Sequence, residues 1–107
     1  MDELDELVSD LRAFRDERNW LRFHSPKNLS MALAAEVGEL LAELRWLTEA
    51  ETVDLSATKS EAFDRVQDEV ADVTIFLLLL ADQLNIDLLA AARTKMEANK
   101  VRFPTAE

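Results

Sequence analysis

The chain has no cysteine, one glycine, two prolines and one histidine among its 107 residues. Without cysteine there is no disulfide framework, no thiolate metal site and no cysteine nucleophile. Scarce glycine and proline, with 49% of the residues apolar, exclude a disordered or turn-rich β chain. Long hydrophobic runs are missing too. The longest, Val73 to Ala81, covers nine residues broken only by Thr74, about half of what a membrane span needs. Positive charge is also in short supply: 12 basic residues against 22 acidic ones give a net charge of −10. That balance argues against a nucleic-acid backbone as partner. Nucleotides are not excluded, because a bound cation reverses the local sign of the field. The acidic start, Met1-Asp2-Glu3, lacks the basic region of a signal peptide. The expectation is therefore a soluble cytoplasmic protein with no membrane partner.

A chain of this length reads as one domain over residues 1–107. It buries only a modest fraction of its surface, so oligomerisation would help it. The spacing of apolar residues predicts an all-α fold of four helices, with no repeat and no strand alternation. The first helix is expected from about Asp2 to Phe23, with Leu4, Leu7, Leu11, Phe14 and Arg18 along one stripe. It stops at His24-Ser25-Pro26, where Ser25 is a good N-cap and Pro26 suits the first helical position. The second helix is expected from Pro26 to about Leu47. A polar connection follows from Thr48 to Thr58, then a third helix from about Lys59 to Leu84. Asn85-Ile86-Asp87 reads as a turn whose Asp87 caps a fourth helix ending near Phe103-Pro104. The run Val73 to Ala81 is apolar on every face and must be covered on all sides, which places it at the centre of a subunit interface.

What the sequence does have is two carboxylate pairs inside its most apolar stretches, Glu36-Val-Gly-Glu39 and Glu69-Val-Ala-Asp72. Each pair has i, i+3 spacing, so on a helix both carboxylates leave from one face. The first continues a stripe of Leu29, Ala32 and Leu33; the second leads into Phe76, Leu79 and Leu80. Four carboxylates gathered between helices repel one another, and a divalent cation held by hard oxygen ligands relieves that repulsion. With no thiolate and a single histidine far from either pair, the ligand set is all oxygen. It suits Mg²⁺, with Mn²⁺ as the alternative, better than zinc, copper or a di-iron centre. Mg²⁺ so bound completes its shell with water and substrate phosphates, which suggests phosphate-ester or phosphoanhydride chemistry. Against this stands the plainer reading of ExxE pairs as solvated charged faces. Glu43, one turn past Glu39, reads either as a further ligand or as the ion-pair partner of Arg45 or Arg65. Gly38, between the two glutamates, sits in a helix interior where it costs roughly 1 kcal/mol relative to alanine. Either a ligand or a closely crossing helix would account for it.

These residues carry a resemblance. The segment Asn19-Trp20-Leu21-Arg22-Phe23-His24-Ser25-Pro26-Lys27-Asn28-Leu29, the two carboxylate pairs, Lys95-Met96 with Asn99, and Arg102-Phe103-Pro104 resemble the MazG-like all-α nucleoside triphosphate pyrophosphohydrolases. The branch of the dCTP pyrophosphatases is the most similar, and the likeness runs from about Leu11 to Pro104. It implies that Glu36, Glu39, Glu69 and Asp72 hold Mg²⁺ against a triphosphate and form the catalytic centre. It further implies substrate contacts from Lys95 and Asn99 on phosphate or sugar, from Trp20 and Trp46 around the base, and from His24, Asn28 and Phe76. Taken alone, the tryptophans read as core, His24 as a cap, and Lys95 and Asn99 as solvated. The branch carries a tyrosine where this chain has Phe76 and a histidine where it has Leu11, so a weakened preference for cytosine is expected. The family fold implies a homo-oligomer, a tetramer before a dimer, with sites built from more than one subunit.

The reaction so implied is hydrolysis between the α- and β-phosphates of a nucleoside triphosphate, giving a monophosphate and pyrophosphate. No nucleophilic side chain is needed: one carboxylate accepts the proton of an attacking water while the others hold metal. A dCTP-like pyrimidine nucleotide is the first expectation for the substrate, and clearance of unwanted nucleotides the purpose usual for the family. A related pyrophosphohydrolase acting on dUTP or phosphoribosyl-ATP is the rival among enzymes. A non-catalytic, metal-binding helical oligomer is the rival outside them.

Overall fold

Five α-helices and one short 3₁₀ turn make up the computed structural model, which describes residues 2–106, and no strand occurs among them. Helix α1 spans Glu3–Glu17, the 3₁₀ turn Leu21–Phe23, α2 Pro26–Leu44, α3 Glu49–Thr58, α4 Glu61–Gln83 and α5 Leu88–Arg102. The all-α expectation stands; the count of four helices does not. Thr48 to Thr58, expected as a polar connection, is helix α3. Its start is a capping box: the Thr48 N–H donates to Glu51 Oε1 at 2.9 Å and the Glu51 N–H donates to Thr48 Oγ1 at 3.1 Å. The sequence signature of this box is Thr-x-x-Glu, set among acidic residues that give the segment the polarity of a loop.

The first helix also ends earlier than expected, at Glu17. Asn19 takes the left-handed conformation, φ 57°, and the Trp20 N–H reaches back to the Arg15 carbonyl at 3.0 Å. This is a Schellman closure, in which asparagine stands where glycine is commoner. Asn85 closes α4 in the same way, with φ 55° and the Ile86 N–H on the Ala81 carbonyl at 2.9 Å. The starts follow the sequence more closely. Ser25 accepts from the Asn28 N–H with Pro26 in the first turn, and Asp87 accepts from the Ala90 N–H.

Helices α2 and α4 form the principal packing pair, with α1 and α3 laid more lightly against α4. They run antiparallel: Arg65 reaches back to Glu43, and Glu36 meets Glu69 and Asp72. Leu29 fills this contact at 1% exposure, joined by Leu78 and Leu79 of α4. The run Val73 to Ala81 is therefore partly covered inside the protomer, where Leu78, Leu79 and Ala81 are buried, and not wholly reserved for a subunit interface. Arg12 and Asp82 tie α1 to α4 through a bidentate pair that includes Nε–Oδ2 at 2.9 Å.

Helix α5 leaves α4 at 97°. Its Leu89, Met96 and Val101 are exposed, as is Phe103 after it. The radius of gyration is 16.9 Å, against about 13 Å for a compact domain of this size. Among the described residues no single helix is long and apolar enough to cross a membrane.

Gly38 has no close neighbour. A Cβ built there meets nothing within 4 Å, so neither a crossing helix nor any other part of the described chain demands a glycine. Gly38→Ala is accordingly expected to stabilise the isolated protomer by about 0.5–1 kcal/mol through helix propensity. Chemical denaturation at concentrations where the protein is monomeric would measure it, and a loss of stability there would contradict the open surface described.

Candidate active site

Three carboxylates meet where α2 and α4 face each other. One oxygen each from Glu36, Glu69 and Asp72 lies within 4.8 Å of the others. The cause is local. The i, i+3 step sets Glu69 and Asp72 on one side of α4, and the antiparallel register brings Glu36 opposite them. Glu39, one turn further along α2, is exposed and stands outside this group, although its charge still bears on Glu69. Glu43 is engaged elsewhere: Arg65 Nε donates to its Oε2 at 3.0 Å.

The cluster is electrostatically unsatisfied. Glu69 Oε2 is buried with no hydrogen-bond partner. The Glu69 carboxyl titrates near neutrality, pushed up to about 7 by sharing a proton with Glu36, then by desolvation, then by the charges of Glu36, Asp72 and Glu39. A free carboxylic acid ionises near 4, so at pH 6 the group still holds a proton that exposed glutamates have lost. Half-buried oxygens, an orphaned acceptor and purely oxygen donors suit a hard divalent cation.

A pH dependence follows from that shift. In the cation-free protein the folded state binds the extra proton more tightly than the unfolded chain. This group's contribution to stability therefore declines as pH rises from about 4.5 through about 7. A cation must expel the same proton to bind. Mg²⁺ uptake measured by calorimetry in buffers of different ionisation enthalpy is expected to release a proton at pH 6, to release almost none at pH 8, and to tighten between them. Uptake independent of pH over that interval would place the cation elsewhere.

Beside the carboxylates lies a cavity of about 570 Å³ between α1, the 3₁₀ turn and α4. Asp72 belongs to its wall, so cluster and cavity are continuous. Leu11, Ile75, Phe76 and Leu79 give it an apolar lining, with Phe14, Trp20, His24 and Arg15 on the α1 side. Phe14 and Trp20 meet edge to face, ring centroids 5.7 Å apart, and the Arg18 guanidinium caps the Phe14 ring at 3.6 Å. His24 Nδ1 is buried and unpartnered. Desolvation, and then the charge of Arg15, lower the His24 pKa below its usual value, which keeps the imidazole neutral at pH 7.

The structure thus brings Trp20, His24, Phe76 and Asp72 to one cavity, and Asp72 links it to Glu36 and Glu69. Other residues singled out from the sequence do not join them within the protomer. Asn28 donates through Nδ2 to the Phe23 carbonyl at 3.0 Å and so fastens the 3₁₀ turn to α2. Trp46 lies just beyond the far end of α2, 80% exposed beneath the Arg45 guanidinium. Lys95 and Asn99 stand on α5. Between Asp72 and the turn after Leu84, α4 rises about 18 Å. With α5 leaving at nearly a right angle, Lys95 is roughly 20 Å from its own carboxylate cluster. Asp10, Phe14 and Arg15 on the α1 side of the wall carry no site role in the sequence reading. Phe14 lies on the stripe of α1, where an aromatic side chain commonly packs into a core. Arg15 is one turn past Leu11, the spacing that puts a charge on an apolar stripe.

Comparison with known proteins adds an independent line. The MazG-like family matches residues 31–107. The dCTP pyrophosphatase 1 of Rattus norvegicus is 40% identical over 91 residues, 85% of this chain and 53% of that protein. The Homo sapiens dCTP pyrophosphatase 1 gives the same identity over the same shares. The chain spans about half the length of these curated relatives. A crystal structure of a pyrophosphatase from Archaeoglobus fulgidus, 37% identical, matches with a TM-score of 0.88 over 98% of this chain and 95% of that one.

Proposed function

The chain belongs to the MazG-like family, and on that footing we propose that it hydrolyses a deoxynucleoside triphosphate to the monophosphate and pyrophosphate, with dCTP its first substrate. The observation that carries this reading is the continuity of an all-oxygen carboxylate cluster with an apolar cavity, Asp72 belonging to both. A triphosphate bears its charge at one end and a flat, largely apolar ring at the other. The two halves of the site divide in the same way.

Glu36, Glu69 and Asp72, together with Glu39 one turn along α2, would hold Mg²⁺ or Mn²⁺. When bound, that cation neutralises the carboxylates, offsets phosphate charge and acidifies an attacking water. The protein's own part is positioning and proton transfer. The i, i+3 pairs fix the carboxylates on rigid helices, and a carboxylate not occupied by metal accepts the proton of the water. Phe14, Trp20 and Phe76 supply ring faces for the base; stacking on such faces is worth about 1–3 kcal/mol per base in nucleic-acid complexes. An acidic protein that binds a polyanion also needs fixed donors. Lys95 and Asn99, too distant within one protomer, serve the site of a second copy in a homo-oligomer, a tetramer before a dimer. Trp46 joins the base site in the same manner.

Pyrophosphate release from a panel of nucleoside triphosphates tests the reading. Release from deoxynucleotides is expected with Mg²⁺ or Mn²⁺, and its loss with chelator. A protein that binds the cation and releases no pyrophosphate from any nucleotide would leave only a non-catalytic role.

A further inference from the structure

One charged side chain of the cavity has no evident structural purpose. Arg15 is 7% exposed, the one buried charged residue among those described. Its Nε donates to Asp16 Oδ1 at 2.9 Å, but Asp16 is largely exposed and engages only that edge of the guanidinium. No described residue accepts from either Nη group. Both Nη groups are therefore uncommitted and still reached by solvent, so they can donate to a ligand that enters the cavity. Arg15 lines the cavity proposed to hold the base, opposite Ile75, Phe76 and Leu79. His24 lines the same space, with its Nδ1 buried and unpartnered beneath that surface.

The donor pattern selects among bases. A guanidinium offers two parallel N–H groups in a rigid fork, and it accepts nothing. Such a fork needs two adjacent acceptors. Cytosine presents them at O2 and N3 on its pairing edge. Uracil and thymine carry an N–H at N3 between their two carbonyls, so one prong of the fork would meet a donor. Adenine has an amine beside N1 and again beside N7. Guanine offers the pair O6 and N7, on a larger ring system. Phe76 and Leu11 bring no polar atom, and of the polar residues in the lining Asp10, Asp72, Trp20 and His24 offer no forked pair of donors, which leaves this readout to Arg15.

We propose that Arg15 is a specificity-determining residue whose two Nη groups donate to O2 and N3 of a cytosine held in the apolar cavity. This assignment rests on the pyrophosphohydrolase reading, and it corrects one expectation from the sequence: the polar groups absent at positions 11 and 76 are replaced from position 15.

The test uses kcat/KM for pyrophosphate release. A bidentate arginine contact is worth roughly 10- to 100-fold in discrimination between bases, and the intact protein should prefer dCTP over dTTP and dUTP by that factor. It should lose most of the preference with 3-deaza-dCTP, in which C–H replaces the N3 acceptor. Arg15→Met keeps length and removes the donors. It is expected to lower kcat/KM for dCTP by the same factor while changing dTTP and dUTP less than threefold. Arg15→Lys keeps the charge without the fork and should also lose the preference. Equal loss for every nucleotide in Arg15→Met would make the residue a phosphate contact and overturn the proposal, as would full activity of the intact protein on 3-deaza-dCTP. That second arm involves no substitution, so a misfolded variant cannot decide the matter. Absence of pyrophosphate release from all nucleotides would instead sink the underlying activity, a result separable from either.

Discussion

Glu69→Gln is expected to abolish pyrophosphate release, by roughly 100-fold or more, while raising the melting temperature of the cation-free protein. The two effects have one origin. Glu69 is the member of the cluster whose ionisation is most disfavoured, with a buried Oε2 that finds no partner and a carboxyl held near neutrality by Glu36. Glutamine preserves the volume and replaces a repelled oxygen with an amide that donates to Glu36. The fold is thereby relieved of like charges in contact. On the proposed reading, a bound cation would in turn lose one of its ligands. Metal assistance in phosphoryl chemistry supplies several kcal/mol of transition-state stabilisation, each 1.4 kcal/mol of which is about tenfold in rate. A gain in stability paired with a loss in activity is the expected trade at a functional site. An ordinary surface glutamate would move neither quantity, and a structural one would lower stability.

Two measurements separate these outcomes: thermal melting at pH 8 without divalent cation, and turnover with saturating Mg²⁺. Glu69→Gln should melt a few degrees higher than the parent at pH 8, where the parent's carboxyl is ionised. At pH 5.5 the difference should shrink, because there the parent carries the proton itself. Glu39→Gln is expected to lose activity as well, with little change in melting, since the Glu39 carboxylate is exposed and outside the contact group. Near-parental turnover in Glu69→Gln would remove the cluster from the reaction.

Helix content and the carboxylate cluster were legible because both depend on short-range spacing. The i, i+3 pairs need only a helix to share a face, and the apolar stripes of α2 and α4 need only each other to bury it. The caps at Ser25 and Asp87 were readable for the same reason: a side-chain oxygen reaches an N–H three residues on. Helix α3 was obscured by its charge, although Thr48 and Glu51 carried its capping box. The ends of α1 and α4 depend on asparagines entering the left-handed region at positions 19 and 85, a choice that tertiary packing makes as much as sequence does. Arg15 was hidden by a general rule. Arginine on a helix is usually solvated, and only the wall formed by Ile75, Phe76 and Leu79 reveals that it is not. The range of α5 was also readable, but its separation from the bundle was not, because periodicity says which residues share a face and nothing about what that face meets.

That separation leads to the second large effect. Lys95→Ala is expected to lower turnover by roughly 10- to 100-fold, the worth of a charge-assisted contact to phosphate, although Lys95 lies far from its own cluster. A mixture of Lys95→Ala with Glu69→Gln should recover activity that neither possesses alone. In a twofold-symmetric pair each site takes carboxylates from one copy and α5 from the other. A mixed pair then has one site carrying both defects and one carrying none. With random exchange of subunits, half the pairs are mixed and half of their sites are intact, so about a quarter of parental activity should return. The exposed Leu89, Met96 and Val101 give α5 an apolar surface to bury in such an assembly, and light scattering should return a multiple of the 12.1 kDa protomer mass. Exchange needs dissociation, so recovery should quicken when the proteins are mixed at low concentration and then reconcentrated. A mixture that stays as inactive as its components, after exchange has been verified by mass, would place Lys95 outside the site. A fully active monomer would rule out sharing altogether.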